Sequence, residues 1–529
     1  MGSNPTIREI GYSSAVEQRK IRLVPKTTNT LTAFMSCYDK MRIDMKHLNE
    51  IKPEPKVVQN IITNPFISNL YTATSMGRTE NDAVTFTRSG SPLLDFYAQA
   101  GAMRPQPEKA LDLFQKAFSE DRQSAVRILF YLRDIRGGQG ERTLFRICLQ
   151  WLGETYPDIF EKIVTHVPEY GRWDDLFFDN EGCFSLIKKQ IEEDKTSESP
   201  SLLAKWLPSA NASSRTTQAK AKYLAGKIGM NTIAYRRLVR DIRKKIKLVE
   251  QKMSACEWGQ IDYPAVPSQA SRIYRNAFKK HDEVRYGKYI EAAEKGEVKI
   301  NAATLYPYQI YKSATQDYSR TLEALWNQLP DYTQGKNALV VADVSGSMTG
   351  DPMAVSVSLA LYFAERNKGQ FKDHFITFSG SPKLQRVMGA NLQDKMNSIE
   401  RSEMDMNTNL QAVFDLVLNT AVKNSTPAEQ LPETIYIISD MEFDQCCDTH
   451  TNFEHIKSKY QTSGYAMPNL VFWNVNASGS NLPTQKNEQG VALVSGFSPV
   501  IFKIAVEGKT PEAIMLETVN SERYAKIVL

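Results

Sequence analysis

Apolar side chains recur three and four positions apart from about Pro92 to Tyr318, for example at Ala110, Leu113 and Phe114. This spacing is typical of amphipathic helices that bury one face. Glycine, proline and asparagine interrupt the helical stretches, and strand-like runs are almost absent. The pattern predicts an all-α domain of stacked HEAT-like helices, to which we assign residues 35–330.

After Pro330 the pattern changes to short, continuously apolar runs rich in β-branched and aromatic residues. These runs are Ala338–Asp343, His374–Phe378, Thr434–Ser439 and Leu470–Val475. Helical stretches at 353–367, 409–423 and 449–461 separate them. Strands without polar alternation, joined by helices, indicate a parallel sheet covered on both faces. We therefore predict a multidomain chain with a doubly wound, Rossmann-like α/β domain at 331–529.

The first 34 residues are polar and show no sustained period, so we expect a disordered segment or a spurious N-terminal extension. They contain no apolar stretch typical of a secretion signal, and no apolar run in the chain is long enough to cross a bilayer. The 6 cysteines show no C-x-x-C spacing. These features predict a cytoplasmic protein, without disulfides or structural zinc and without a membrane partner.

The formal net charge of +5 conceals an asymmetry between the two parts. Residues 331–529 contain 16 Lys and Arg against 22 Asp and Glu, whereas residues 1–330 contain 49 against 38. The helical part therefore suits a polyanionic partner, and the α/β part does not.

A candidate cation site follows the first strand of the α/β part, in the string ALVVADVSGSM. Asp343 ends the apolar run, and Ser345 and Ser347 follow on a turn that leads into a helix. Thr408 lies at the entry to a later helix, and Asp440 directly follows the run TIYIIS. Carboxylate and hydroxyl oxygens are hard ligands that suit Mg2+, or another hard cation such as Mn2+, better than zinc or copper.

Two other interpretations of these residues remain open. Asp343 and Ser345 could cap the following helix, as Asp and Ser often do, although capping does not account for Thr408 and Asp440. Asp444 is a rival for Asp440, but it lies past the strand end, where we expect it to cap a loop. The chain contains none of the common motifs of nucleophilic, phosphoryl-transfer or zinc-dependent catalysis, so we expect no catalytic residues.

The five oxygen-bearing residues resemble the metal-ion-dependent adhesion site (MIDAS) of von Willebrand factor A domains. Asp343, Ser345, Ser347, Thr408 and Asp440 match its five ligand positions in order. The resemblance implies that one divalent cation is held at the end of the sheet. It also implies that the cation has an open position for an acidic residue of a protein partner.

The string YRRLVRDIRKKIKLVEQK, which ends at Lys252, predicts one amphipathic helix with an apolar stripe and a basic stripe. Like charges on one face repel each other unless an anion neutralises them, so the basic stripe suits RNA phosphates. A solvated helix whose charges only aid solubility is the alternative. The candidate RNA-binding residues in and before this helix are Lys220, Lys222, Lys227, Arg236, Arg237, Arg240, Arg243, Lys244 and Lys247.

A second segment, RDIRGGQGER at 133–142, contains tandem glycines between helical stretches. It could form a phosphate-binding loop. Alternatively, Gly137 and Gly138 provide left-handed backbone at a helix end, which leaves Arg136 and Arg142 available to a nearby anion. We include both arginines among the candidate RNA-binding residues.

The order of motifs resembles the Ro autoantigen (TROVE) family, and more closely its sister family of virus, plant and bacterial proteins of unknown function. The matching strings include RDIRGGQGER, EYGRWDDL, KWLPS, YRRLVRDIR, AFKKHDEVR, DVSGSM, SDMEFD and VALVSGFSP. The resemblance implies a ring of HEAT-like helices completed by the von Willebrand A domain. It also implies that small noncoding RNAs, or the 3′ ends of defective RNAs, are the partners.

Together these observations predict a non-catalytic, monomeric ribonucleoprotein component that binds RNA on its helical part and Mg2+ on its α/β part. The alternative is a metal-dependent protein adaptor with no RNA role.

Overall fold

The computed structural model describes residues 75–246, 248–400, 407–448, 450–477 and 479–529. The predicted disordered segment 1–34 lies outside these ranges. Residues Leu70–Leu529 form one compact unit, so the helices and the sheet below belong together.

A short antiparallel hairpin, β1 (Met76–Arg78) and β2 (Val84–Phe86), precedes a long series of helices. The longer helices of this part are α1 (Pro92–Gln99), α2 (Pro107–Glu120), α3 (Arg122–Arg133), α4 (Thr143–Thr155), α7 (Glu181–Thr196), α9 (Arg215–Lys227), α10 (Thr232–Ile246), α12 (Ser268–His281), α13 (Glu283–Glu294), α14 (Pro307–Gln316) and α15 (Arg320–Asn327). Between them lie the short helices α5 (Pro157–Ile163), α6 (Val167–Tyr170), α8 (Leu203–Trp206) and α11 (Val249–Ser254).

Helix α2 shows how the apolar pattern becomes structure in this part. Pro107 occupies the first turn, where its missing N–H costs nothing. Ala110, Phe114 and Phe118 then lie on one face and are fully buried. Asp121 ends the helix and caps the next one, because its carboxylate accepts hydrogen bonds from the first backbone N–H groups of α3.

The α/β part follows the helical part, as predicted. Its strands are β3 (Ala338–Ala342), β4 (His374–Thr377), β5 (Leu384–Arg386), β6 (Thr434–Ser439), β7 (Asn469–Asn474) and β8 (Val491–Ser495). Its helices are α16 (Asp351–Arg366), α17 (Leu392–Glu400), α18 (Leu410–Asn424), α19 (Asn452–Ser463), α20 (Pro511–Val519) and α21 (Glu522–Ala525).

The six strands form one sheet in the order β5-β4-β3-β6-β7-β8. All neighbouring pairs are parallel except β4 and β5, so the sheet is mixed rather than purely parallel. All residues of β3 and β8 are buried. The sequence pattern did not identify β1, β2, β5 or β8. The first three have only three residues each, too few to show an alternation.

The helical part and the sheet share one core, with α1 packed against β8. The N–H of Gly101 donates to the hydroxyl of Ser495 at 3.0 Å, and that hydroxyl donates to the carbonyl of Tyr97 at 3.1 Å. A Cβ atom at Gly101 would lie 2.8 Å from the carbonyl oxygen of Ser495. Only glycine allows this close approach without a backbone shift.

The segment 133–142 contacts the C-terminal helices of the α/β part. Its tandem glycines do not have the left-handed backbone that we predicted. Gly137 and Gly138 are not left-handed; Gly140 is, with φ 69°. Gly138 is required for space, because a Cβ there would lie 1.8 Å from the carbonyl oxygen of Tyr131. Asp134 in the same segment accepts from the guanidinium group of Arg523 at 2.7 Å, which ties α3 to the C-terminal helices.

Among the described residues, we find no helix that combines the length and apolar character needed to cross a membrane.

Candidate functional site

The candidate cation site lies between β3 and β6, where the order of the strands along the chain reverses. From β3 the chain continues through α16 to β4 on one side, and from β6 it continues through α19 to β7 on the other. A crevice therefore opens at the carboxyl ends of β3 and β6, which is the usual ligand position in such sheets. Asp343 follows β3 and Asp440 follows β6. The N–H of Asp343 donates to the carbonyl of Ile438 at 2.9 Å, so the strand pairing continues into the site.

The carboxylate of Asp343 is fully buried at the base of this crevice. One oxygen accepts from the N–H of Ser345 at 2.9 Å, and the other accepts from the hydroxyl of Ser439 at 2.6 Å. Burial, and to a smaller extent the neighbouring Asp440 carboxyl, together raise the pKa of Asp343 to about 6. A group in this position is costly to ionise until a positive charge approaches it.

Two hydroxyl groups and the second carboxyl group complete the cluster. The hydroxyl oxygens of Ser345 and Ser347 lie 3.1 Å apart. Asp440 accepts from the N–H of Glu442 at 3.1 Å through Oδ1, whereas its buried Oδ2 has no hydrogen bond of normal geometry. Burial raises the pKa of Asp440, and the side chain of Ser347 opposes only part of that rise. The cluster thus contains hard oxygen atoms and one buried oxygen without a partner, which fits a hard cation.

Thr408 is buried just before α18, and its hydroxyl forms hydrogen bonds with residues beside the cluster rather than with the cluster itself. It donates to the carbonyl of Glu442 at 3.0 Å and accepts from the side-chain amide of Asn81 at 3.2 Å. The N–H of Asp444 donates to the carbonyl of Thr408 at 3.1 Å. Thr408 is therefore fixed beside the segment that follows Asp440, and its role as a ligand stays a prediction.

The sequence did not reveal that the N-terminal hairpin reaches this end of the sheet. The hydroxyl of Thr79 donates to the carbonyl of Phe443 at 2.8 Å, and the N–H of Glu80 donates to the carboxylate of Glu442 at 2.7 Å. Asp444, the rival for Asp440, pairs through its backbone with Asp82. These contacts join segments more than 360 residues apart, and no local pattern signals them.

Within the described ranges, no three His, Cys, Asp or Glu side chains gather as a metal-binding group. A cation at this site would therefore depend on the two carboxylates together with the serine hydroxyls. That donor set is characteristic of hard cations rather than of zinc.

The second candidate site is the cationic surface of α10. Tyr235, Val239 and Ile242 of this helix are buried. On the opposite face the exposed cations are Arg236, Arg237, Arg240 and Lys244, and Lys220 and Lys222 are exposed on the neighbouring α9. Arg240 lies 2.9 Å from the carboxylate of Asp241, and both side chains are largely exposed. We call these six cations the α9–α10 surface.

The predicted single helix up to Lys252 is wrong. Helix α10 ends at Ile246, Leu248 has an extended backbone, and α11 begins at Val249. Lys247 lies outside the described residues. The break ends the predicted basic stripe one turn early.

Two of the predicted RNA-binding cations are already engaged within the protein. Arg243 turns inward and donates to the carbonyls of Ala204 and Leu207 at 2.7 and 2.5 Å, because the end of α8 leaves these carbonyls without helical partners. Lys227 pairs with the carboxylate of Asp179 at 2.6 Å. Arg243 therefore does not lie on the exposed stripe that the helical spacing predicted.

The two arginines predicted in segment 133–142 are not part of the α9–α10 surface as defined above. Arg136 is exposed, and its guanidinium group lies 3.5 Å from the carbonyl of Glu169. Arg142 lines a cavity in the helical part.

Two family models match this chain, and they meet near residue 340, close to the start of the α/β part. A domain of unknown function (DUF2828) matches residues 79–165 and 217–342, and another domain of unknown function (DUF7788) matches residues 337–526. An uncharacterized protein of Acanthamoeba polyphaga mimivirus is 29% identical over 497 residues, which covers 84% of this chain and 87% of that protein.

Among solved structures, the crystal structure of the Ro (RSR) protein of Deinococcus radiodurans matches with 13% identity and a TM-score of 0.31. The match covers 80% of this chain and 93% of that chain. The likeness is distant, and it supports no inference about the site or the function.

Proposed function

We propose that this protein is a non-catalytic binding protein that holds one hard divalent cation, Mg2+ or Mn2+, at the end of its sheet. The observation that supports this most is the buried Oδ2 of Asp440, which has no normal hydrogen bond yet belongs to the same cluster as the carboxylate of Asp343. An unpartnered buried carboxylate oxygen is costly, and a bound cation would remove that cost.

The cation would be held by Ser345 and Ser347 together with the two aspartates, and Thr408 is the remaining candidate ligand. Hydroxyl ligands carry no charge, so the cation would retain a strong attraction for an acidic group from outside. We propose that an acidic residue of a protein partner takes this position. This is the von Willebrand A-type, adhesion-site interpretation of the α/β part.

Isothermal titration of the metal-free full chain with Mn2+ tests the cation site. We expect about one equivalent to bind the wild type, and D440N and S347A to lose binding, because each removes an oxygen ligand or its charge. D448N is the matched control, since Asp448 is exposed on the segment after β6. Equal binding by D440N and by D448N would contradict the proposal.

A second proposed function is RNA binding at the α9–α10 surface, in keeping with a cytoplasmic, monomeric ribonucleoprotein component. The supporting observation is that Arg236, Arg237 and Lys244 are exposed and form no ion pair with any described carboxylate. Six cations of one sign on adjacent helices suit the phosphates of small noncoding or defective RNAs.

The salt dependence of binding to a short single-stranded RNA tests this second function. Phosphate contacts release counterions, so the logarithm of affinity should fall linearly with the logarithm of salt concentration. Neutralising Arg236, Arg237 and Lys244 to glutamine should lower the slope by about 2, at roughly 0.7 per contact. K188Q/K189Q, which removes two exposed cations of α7, should leave the slope unchanged.

Chelation separates this function from that of a metal-dependent adaptor with no RNA role. If the α9–α10 surface binds RNA, EDTA leaves the RNA affinity unchanged while it removes the bound cation. An unchanged RNA affinity in the triple glutamine variant would instead contradict RNA binding at the α9–α10 surface and favour the metal-dependent adaptor.

A further inference from the structure

A cavity of about 490 Å³ lies in the helical part, remote in sequence from the cation ligands. Segment 133–142 forms one wall, and the turns before α2 and α14, together with the first turns of α4, α12 and α14, form much of the rest. Four arginines but only one acidic residue, Glu141, line it. Neither the cation site nor the α9–α10 surface accounts for this excess of positive charge.

Two of the four arginines are neutralised by neighbouring carboxylates. Arg104 forms a two-pronged pair with Glu141, with its closest approach at 2.6 Å. Arg133 is buried against Asp175 at 2.7 Å. Both pairs are internal to the protein, and they shape the wall rather than attract a ligand.

The other two arginines, Arg142 and Arg172, have no ion pair with any described carboxylate. Arg172 lies over the ring of Trp206 at 4.4 Å, which orients its guanidinium group without neutralising it. Burial, and to a smaller extent the charge of Arg142, together lower the pKa of Arg172 to about 10. Burial also lowers the pKa of Arg142. Arg172 is half-buried and Arg142 is exposed, and the charge of Arg142 is close enough to act on Arg172. Asp174 and Asp175 offset part of this repulsion but form no ion pair with either arginine, so two positive charges remain at the cavity wall for an anion.

Four helices begin at this cavity, and each contributes a residue of its first turn to the lining. These helices have 14, 13, 14 and 10 residues. The contributed residues are Pro107 of α2, Thr143 of α4, Gln269 of α12 and Tyr308 of α14. Helix N-termini carry partial positive charge, so their convergence adds to the attraction for an anion, although α2 and α14 begin with proline and α14 is capped by its own Gln309.

The size and remaining lining of the cavity indicate more than a bare anion. A volume of about 490 Å³ lies in the range of small-molecule sites and exceeds the needs of inorganic phosphate. The half-buried Tyr308 and Gln309 also line the wall, beside the buried Tyr306. Such side chains stack on bases and form hydrogen bonds with them.

We infer that this cavity binds a nucleotide through its phosphate group, with Arg142 and Arg172 as the phosphate-binding residues. Paired guanidinium groups match the oxygen geometry of a phosphate monoester. The nucleotide is either free in solution or the phosphorylated 5′ end of an RNA, and both present the same group to the two arginines.

Two matched pairs of probes test the inference on the full chain and separate the sources. The first pair is adenosine 5′-monophosphate and adenosine, measured by calorimetry. The second pair is a short 3′-labelled RNA with a 5′-phosphate or a 5′-hydroxyl group, measured by fluorescence anisotropy. We expect the phosphorylated member of at least one pair to bind ten-fold or more tightly. A preference in the first pair indicates a free nucleotide, and a preference in the second pair alone indicates an RNA end.

The variant R142Q/R172Q should lose this preference, whereas the charge-matched K188Q/K189Q should keep it. R142K/R172K retains the charge without the forked geometry and should keep part of the preference, provided that its melting temperature matches the wild type. The preference should persist in EDTA, so loss of the cation site does not affect it. Equal binding of both members in both pairs, or a preference that survives in R142Q/R172Q, would overturn the inference.

Discussion

Replacing Asp343 by asparagine should stabilise the metal-free protein and abolish its response to Mg2+. The pKa of the buried Asp343 is about 6 in the folded protein, against 3.8 for an unperturbed aspartate. At 1.36 kcal/mol per unit, ionisation of this group at pH 7.5 costs the folded state about 3 kcal/mol. Asparagine has nearly the same shape and no charge, so this cost disappears.

The variant also loses part of the hydrogen bonding around the carboxylate. Asparagine can still accept from the N–H of Ser345, but its NH2 group would face the hydroxyl of Ser439, which must rotate to accept. A weakened hydrogen bond costs about 1 kcal/mol, which leaves a net gain of about 2 kcal/mol. At about 2.1 cal/mol/K per residue over the unit Leu70–Leu529, this gain raises the melting temperature by about 2 °C.

Scanning calorimetry of both proteins in EDTA and in saturating Mg2+ checks this result. Mg2+ at a hundred times its dissociation constant should stabilise the wild type by about 2.7 kcal/mol and leave D343N unchanged, so the order of the melting temperatures reverses. D448N should match the wild type in both conditions.

The sign of the pH dependence provides a second check on the same variant. The folded pKa exceeds the unfolded one, so protonation favours the folded state. The advantage of D343N in EDTA should therefore be complete well above pH 6 and fade as the pH falls from 6 towards 3.8. A D343N protein that melts below the wild type in EDTA at pH 7.5 would refute the reasoning.

Three further predictions follow from single contacts. Mg2+ affinity should fall about ten-fold per pH unit below pH 6, because protons compete for Asp343; a flat calorimetric titration series from pH 6.5 to 5 would contradict this. R243Q should lower stability by about 2 kcal/mol in urea unfolding, since carbonyls at the end of α8 lose charged donors, whereas R236Q should change it little. G138A should lower the melting temperature, because its Cβ would overlap the carbonyl of Tyr131, whereas G226A near the C-terminal end of α9, where a Cβ meets nothing within 4 Å, should not.

The sequence predicted the features that depend on local pattern. Continuous apolar runs located β3, β4, β6 and β7 to within one residue, because buried parallel strands have no polar alternation. The positions of Asp343 and Asp440 at strand ends followed from the same runs. Their approach depends on β3 and β6 being neighbours in the sheet, which the structure provides.

Features that depend on long-range contacts could not be predicted in this way. The spacing of Arg243 places it on the same helical stripe as Arg236, yet its long side chain reaches carbonyls near α8 that no helical pattern reveals. Asn81 contacts Thr408 across 327 residues. The cavity likewise combines Arg142 and Arg172 with helix ends that are distant in sequence, so only the fold brings its charges together.

The central claim is that oxygens of Ser345, Ser347 and the two strand-end aspartates surround one hard cation. Anomalous scattering from a crystal of the full chain grown with Mn2+ tests this claim most directly. We predict one peak between the ends of β3 and β6, within about 2.2 Å of the two serine hydroxyl oxygens. A map with no peak there, or with Mn2+ bound only to exposed carboxylates elsewhere, would contradict the account.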